Sequence, residues 1–144
     1  MENAHTMSDP RTLADRYVAL WNEPDAQRRR EAVAALWTEE GAHLLQPPQE
    51  AREIAARPGI GLTAVFEARG HDALVERAAS AHDEWVARGG MTFRRRDDVE
   101  RVADVVKFRW EAVGADGEVA GVGLEVLLLA PDGRIRVDYQ FIES

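Results

Sequence analysis

The chain contains no cysteine. That excludes a disulfide framework, a thiolate metal site and a cysteine nucleophile, and leaves catalysis to carboxylate, imidazole or phenol groups. No apolar run approaches the ~20 residues of a membrane-spanning helix, and there is no hydrophobic signal-peptide core. A cytoplasmic protein without membrane contact is expected. Basic excess is also missing: 18 Lys and Arg stand against 26 Asp and Glu, a net charge of −8, which argues against nucleic acid as a partner. Lysine is nearly absent, Lys107 being the only one, and the other basic residues are Arg. The triplets Arg28–Arg30 and Arg94–Arg96 are flanked by Asp25, Glu31, Asp97 and Asp98, which marks them as neutralised surface. No dinucleotide fingerprint, P-loop, internal repeat or linker occurs. No pair of residues has metal-ligand spacing, so neither a metal nor another cofactor is expected.

What is present describes one domain. A length of 144 residues with 45% hydrophobic and 31% charged residues suits a single core. Residues 1–7, which include His5, carry no periodicity and are expected to be flexible, leaving 8–144 as the domain. Ser8-Asp9-Pro10 starts a helix, with Leu13, Tyr17, Leu20 and Trp21 as its stripe to Asn22. Pro24-Asp25 starts a second, striped by Ala32, Val33, Leu36 and Trp37 and broken by Gly41. Residues 42–45 form a short strand. Segment 47–69 holds a short helix over 50–56, a turn at Pro58-Gly59 and an extended piece over 62–66. A third main helix runs from Gly70 to Gly89-Gly90 on Leu74, Ala78, Ala81, His82, Trp85 and Val86. Strands follow over 92–99, 102–113, 119–129 and 134–142, with turns at 114–117 and 131–133. This order is α+β: three main helices on a curved mixed or antiparallel sheet.

The strand Val122-Gly123-Leu124-Glu125-Val126-Leu127-Leu128-Leu129 is apolar on both faces. Helices and a cavity are expected on one face and a second subunit on the other, giving a homodimer through the open sheet. Gly121 and Gly123 are read as allowing the sheet to bend. Glu125 is the sharpest residue here. A carboxylate among Val122, Leu124, Val126, Leu127 and Leu128 is costly to bury as an anion, and burial would raise its pKa toward neutrality. The alternative is an ion pair with Arg109 or Arg136. His43 on the first strand and His82 on the third helix lie on apolar faces, where imidazole serves as a general base or as a hydrogen-bonded core residue. His71-Asp72 is placed to cap that helix. Tyr17, Trp21, Trp37, Phe66, Trp85, Phe108, Trp110 and Phe141 are mostly core, with Phe108 and Trp110 on one face of their strand.

Three stretches carry a family likeness. They are Asp15–Leu20 with Asn22 and Pro24-Asp25, Ala35–Ala42, and Gly123–Val126 through Asp132–Ile135 to Phe141-Ile142. In order and spacing they resemble the SnoaL-like, nuclear transport factor two-like superfamily, which includes polyketide cyclases, ketosteroid isomerases, limonene epoxide hydrolases and scytalone dehydratases. The resemblance implies a cystatin-like cone enclosing a pocket, and makes 47–69 an inserted rim. It puts Tyr17 and Glu125 where ketosteroid isomerases keep a tyrosine and a protonated acid that donate to an oxyanion. Leu45-Gln46 falls where the isomerase base belongs, and Leu cannot accept a proton. On the last strand, alternation turns Ile135, Val137, Tyr139 and Phe141 inward, whereas the resemblance turns Asp138, Gln140 and Ile142 to the cavity. The second arrangement is favoured, and it brings Asp138 near Glu125. The expected catalytic set is Glu125, Asp138, His43 and Tyr17, with Trp110, Phe108, Gln140, His82 and Leu45 binding a small apolar or aromatic molecule. The function expected is cofactor-independent acid/base chemistry of the cyclase, isomerase or dehydratase type. A non-catalytic dimeric ligand-binding or accessory module is the alternative.

Overall fold

Asp9 caps helix α1 (Pro10–Asn22) by accepting the Arg11 amide at 3.0 Å, and Pro10 opens the helix with φ already set. The computed structural model describes residues 9–143; the expected flexible stretch 1–7, with His5, and Ser8 lie outside them. Asp25 starts α2 (Ala26–Leu36) in the same way, accepting the Arg28 amide at 2.9 Å. The end of α2 departs from the expected one. Trp37 is not on the helical stripe but opens strand β1 (Trp37–Leu45), and Gly41 lies inside that strand. The Trp37 indole folds back along its own strand, where Nε1 donates to the Ala42 carbonyl at 3.3 Å. Gly41 leaves the space for it, since a Cβ there would stand 2.7 Å from Trp37 Cδ1.

After β1, helix α3 (Gln49–Ala55) buries none of its residues, and β2 (Phe66–Arg69) pairs antiparallel with β1. Leu62 and Val65, expected to be extended with Phe66, precede the paired strand and are exposed. Helix α4 (His71–Ala81) buries Leu74, Ala78 and Ala81, then continues as a π-helix over His82–Ala87. The wider turn ends the 3.6-residue stripe, so Trp85 is exposed rather than core. His71 does not cap α4, which Gly70 precedes with φ 87°; its Nε2 meets the Trp37 carbonyl at 3.0 Å instead.

The remaining strands are β3 (Thr92–Arg95), β4 (Glu100–Val102), β5 (Val105–Val113), β6 (Val119–Leu129) and β7 (Ile135–Ile142). The single strand expected over 102–113 is divided by a turn at Ala103, where φ is 50°. The sheet runs β2-β1-β7-β6-β5-β3, with β4 on the end of β5, and does not close. Only β1 and β7 are parallel, so it is mixed. Helices α1, α2 and α4 lie on its inner face over Tyr17, Leu20, Val33, Trp37, Leu127 and Ile135.

A bulge in β7 resolves the two readings of that strand. Leu129 pairs with Ile135 and Leu128 with Val137, leaving Arg136 unmatched. Ile135 and Asp138 are therefore both fully buried although three residues apart, which strict alternation forbids. Past the bulge, Asp138 and Gln140 face inward, while Tyr139 and Phe141 turn out and are exposed. Phe66 and Phe141, expected in the core, thus lie at the surface. The second Arg triplet is neutralised as expected, with Asp97 as one of the acids: Glu111 takes Arg94 and Arg96, and Asp15 joins Asp97 on Arg95.

Gly41→Ala tests the packing that ends α2. The added methyl has Trp37 and, at 3.0 Å, the Ile135 carbonyl against it. The expected loss is about 1–3 kcal/mol, typical of overpacking, read as a Tm lower by roughly 3–10 °C.

Candidate active site

Two rows of residues cross the inner face. His43 on β1 pairs with Asp138 on β7, which pairs with Leu127 on β6; one step on, Leu45 pairs with Gln140, which pairs with Glu125. The two-residue repeat of strands thereby gathers His43, Asp138, Gln140 and Glu125 into one patch. His43, Asp138 and Glu125 are each 0% exposed. Helix α1 lays Tyr17 over the patch, and its hydroxyl donates to Asp138 Oδ2 at 2.5 Å. From β5, Trp110 Nε1 donates to Glu125 Oε1 at 2.8 Å. This bond needs Gly123, which pairs directly with Trp110: a Cβ there would fall 2.1 Å from the indole Cζ2. Gly123 is thus required for close side-chain approach, a more specific role than bending the sheet.

No cation pairs with Glu125. Arg109, the expected alternative partner, is held by Asp98 and Glu143, and Arg136 is exposed. Burial, first, and then the Asp138 charge and a hydrogen bond to Asp138 raise the Glu125 pKa well above its ordinary value; Trp110 and Tyr17 oppose this only in part. Glu125 is therefore a neutral acid facing the Asp138 carboxylate. Burial, reinforced by the charges of Asp138 and Glu125, also raises the Tyr17 pKa, keeping it a phenol. Burial lowers the His43 pKa against the opposing pull of Asp138, and the charge of Arg77 acts in the same direction as burial. His43 Nε2 faces the Gln140 Oε1 at 3.1 Å and Asp138 Oδ2 at 3.5 Å, both acceptors, so Nε2 carries the proton and Nδ1 is a bare base without a partner.

Beside this patch lies a cavity of about 370 Å³. Tyr17, Trp21, Phe93, Trp110, Glu125 and Gln140 form its wall, and Leu45 and Gln46 also reach it. Asp138 and His43 stand behind that wall rather than on it. Phe108, expected to line the pocket, is instead core against Tyr17, with ring centroids 5.6 Å apart. His82 is likewise off the wall, displaced by the π-helix, and Ala81 and Trp85 take its place. The sequence reading missed Phe93 and Arg77. Asn22 holds Phe93 by two hydrogen bonds, to its carbonyl at 2.7 Å and from its amide at 2.8 Å, and Phe93 meets Trp110 edge to face. Arg77 had a legible signal: it is three residues after Leu74 and four before Ala81, a charge on the apolar face of a helix.

Ligand atoms of His43, Glu125 and Asp138 lie within 4.8 Å of one another, the one such group among the described residues. Chain spacing gave no hint of it, because the three come from different strands. Two carboxylates and an imidazole can coordinate a divalent ion. Here, though, Trp110 and Tyr17 already direct N–H and O–H donors at the two carboxyls, which suits a shared proton better than a cation.

No family model matches the sequence, and no curated protein matches it. Solved structures do. A candidate isomerase of the SnoaL-like family from Agrobacterium tumefaciens aligns over 94% of this chain and 97% of its own, with TM-score 0.74 and 22% identity. A nuclear transport factor two-like protein of unknown function from Exiguobacterium aligns over 92% and 98%, with TM-score 0.58 and 18% identity. A candidate polyketide cyclase from Sinorhizobium meliloti aligns over 90% and 94%, with TM-score 0.54 and 11% identity. At these identities the fold is what is shared, and it is the α+β cone expected from the sequence.

The neutral state of Glu125 has a signature in stability. Its folded pKa is raised, so its contribution is fully present below the unfolded pKa and is lost as pH rises through the folded one. Glu125→Gln removes that slope. The variant is expected to melt higher than the parent at pH 7–8, with the difference vanishing near pH 4, in thermal denaturation followed across pH. A difference independent of pH would show that Glu125 is not buried as a neutral acid.

Proposed function

We propose that the cavity is the site of a cofactor-independent acid–base reaction on an apolar carbonyl or hydroxyl compound, of the isomerase, cyclase or dehydratase kind. One observation carries this: a fully buried carboxyl with no cation partner reaches the wall of an otherwise largely apolar cavity. An acid kept neutral by its surroundings can donate to an oxygen on which negative charge develops. Trp110 donates to Oε1 of Glu125, so the proton of the neutral acid sits on Oε2, where Asp138 helps to hold it until the bound molecule draws on it. Tyr17 lies on the same wall with its single O–H donated to Asp138, so it fixes that carboxyl behind Glu125. As Glu125 gives up its proton it becomes a second carboxylate beside Asp138, a state that burial disfavours. The proton is therefore returned readily, and Asp138 and His43 support its transfer without touching the bound molecule. Leu45 and Gln46 occupy the place of the ketosteroid isomerase base, so the reaction class extends beyond that mechanism.

The reading includes a homodimer. On the outer face, Leu124, Val126 and Leu128 of β6 lie across from Phe141, Tyr139 and Val137 of β7, an apolar strip at the middle of the open sheet. Tyr139 and Phe141 are 38% and 45% exposed in the single chain, more than packed aromatics tolerate in water alone.

Two measurements test these points. Hydrogen–deuterium exchange at the α-carbons of a panel of cyclic ketones and polyketide-like diketones, followed by NMR, is expected with the parent protein. Glu125→Gln is expected to slow it by about 10²-fold or more, the usual worth of a positioned proton donor. Exchange that survives this substitution unchanged removes Glu125 from the chemistry. Light scattering after gel filtration is expected to give twice the chain mass of 16.0 kDa, and Val126→Glu to give the monomer. A monomeric parent protein ends the dimer proposal.

A further inference from the structure

Besides the Tyr17 phenol, the cavity wall carries two ionisable side chains of opposite type, Glu125 and Arg77. Glu125 is neutral, so Arg77 is the charge that remains. Among the described residues Arg77 has no ion-pair partner, and its buried Nε has no hydrogen-bond partner. Arg94, Arg95, Arg96, Arg109 and Arg134 each hold a carboxylate, and Arg29, whose Nε is also buried and open, donates Nη1 to the Glu23 and Pro24 carbonyls; Arg77 has no such side-chain partner among the described residues. A stem lying on apolar surface with its head in water would explain exposure of the guanidinium, but not a desolvated Nε left open. In a chain with 26 acids and net charge −8, an acid could readily have been supplied to Arg77 from within. None is, and the position is open to the cavity.

We infer that Arg77 is the anchor for a carboxylate on the bound molecule, and that the natural ligand is an aromatic or polycyclic carboxylic acid. The guanidinium offers a planar fork of donors that matches a carboxylate, while Trp21, Phe93 and Trp110 offer ring faces and edges for its apolar body. A cavity of about 370 Å³ has room for two or three fused rings. The anion also completes the electrostatics. Arg77 disfavours a proton on His43, so a carboxylate that neutralises it makes His43 a stronger base while the ligand is in place. This inference rests on the cavity being a ligand site, and deepens that reading by naming the charge its ligand bears.

The test compares matched pairs: 2-naphthoic acid, indole-2-carboxylic acid and anthracene-2-carboxylic acid against their methyl esters, followed by quenching of the cavity tryptophans. The parent protein is expected to bind the acids at least 10-fold more tightly than the esters. Arg77→Gln is expected to abolish the preference while leaving ester affinity within about 2-fold, and Arg77→Lys to keep part of it. Retention of ester binding shows that each variant is folded around an intact cavity. Esters binding as well as acids in the parent, or an acid preference that survives Arg77→Gln, overturns the role of Arg77 and leaves the ligand site standing. Binding of neither acids nor esters across the panel overturns both.

Discussion

Two carboxyl groups lie side by side in the interior with no basic side chain paired to either in a full ion pair. That constraint organises the site. Burial, and then the neighbouring Asp138, raise the Glu125 pKa and keep the proton on it. Every neighbour then plays a part consistent with one negative charge. Tyr17 donates to Asp138 and stays a phenol, Trp110 donates to Glu125, and His43 stays neutral with its N–H turned to acceptors. A buried polar cluster of this type is stable only when most of its members are satisfied.

Backbone register translates this constraint into geometry. Cross-strand pairing alone brings His43 against Asp138 and Gln140 against Glu125, and the antiparallel β6–β7 ladder sets the diagonal between the two carboxyls. Slipping β7 by one residue would turn Asp138 and Gln140 to the outer face and bring Tyr139 in. The unmatched Arg136 prevents this, because it lets Ile135 fill the core and still leaves Asp138 inward. Gly123 is the corresponding device on β6, where the missing side chain lets an indole lie across the strand and reach Glu125.

The sequence made Glu125 conspicuous, because an acid amid Val and Leu in a strand has few structural explanations. The element order and the cone were legible too, since caps at Asp9 and Asp25 and the glycine turns are local signals. Asp138 was ambiguous: a bulge inverts the phase of a strand, and nothing in the residues of β7 announces where it falls. The parallel pairing that completes the His43 site joins residues far apart in the chain and leaves no local trace. Trp37 and Trp85 were misplaced because helical periodicity was extended past its end, into a strand in one case and a wider helix in the other. Arg77 was written on the apolar face of α4, but one Arg in an Arg-rich chain does not stand out by composition.

The long-range character of the cluster bears on how the molecule comes into being. Tyr17 and Asp138 are 121 residues apart, and His43 and Gln140 are 97 apart. During synthesis the amino-terminal helices and the first strand emerge well before their polar partners exist, so His43 and Tyr17 wait unpaired until the last strand is made. Insertion of that strand beside β1, a non-local and parallel step, is of the slow kind in folding. Assembly of the buried polar cluster and completion of the sheet are then a single event. A chain that stops short of β7 lacks the strand that joins β1 to β6, so an incompletely made molecule has two separate pieces of sheet and half of its polar cluster.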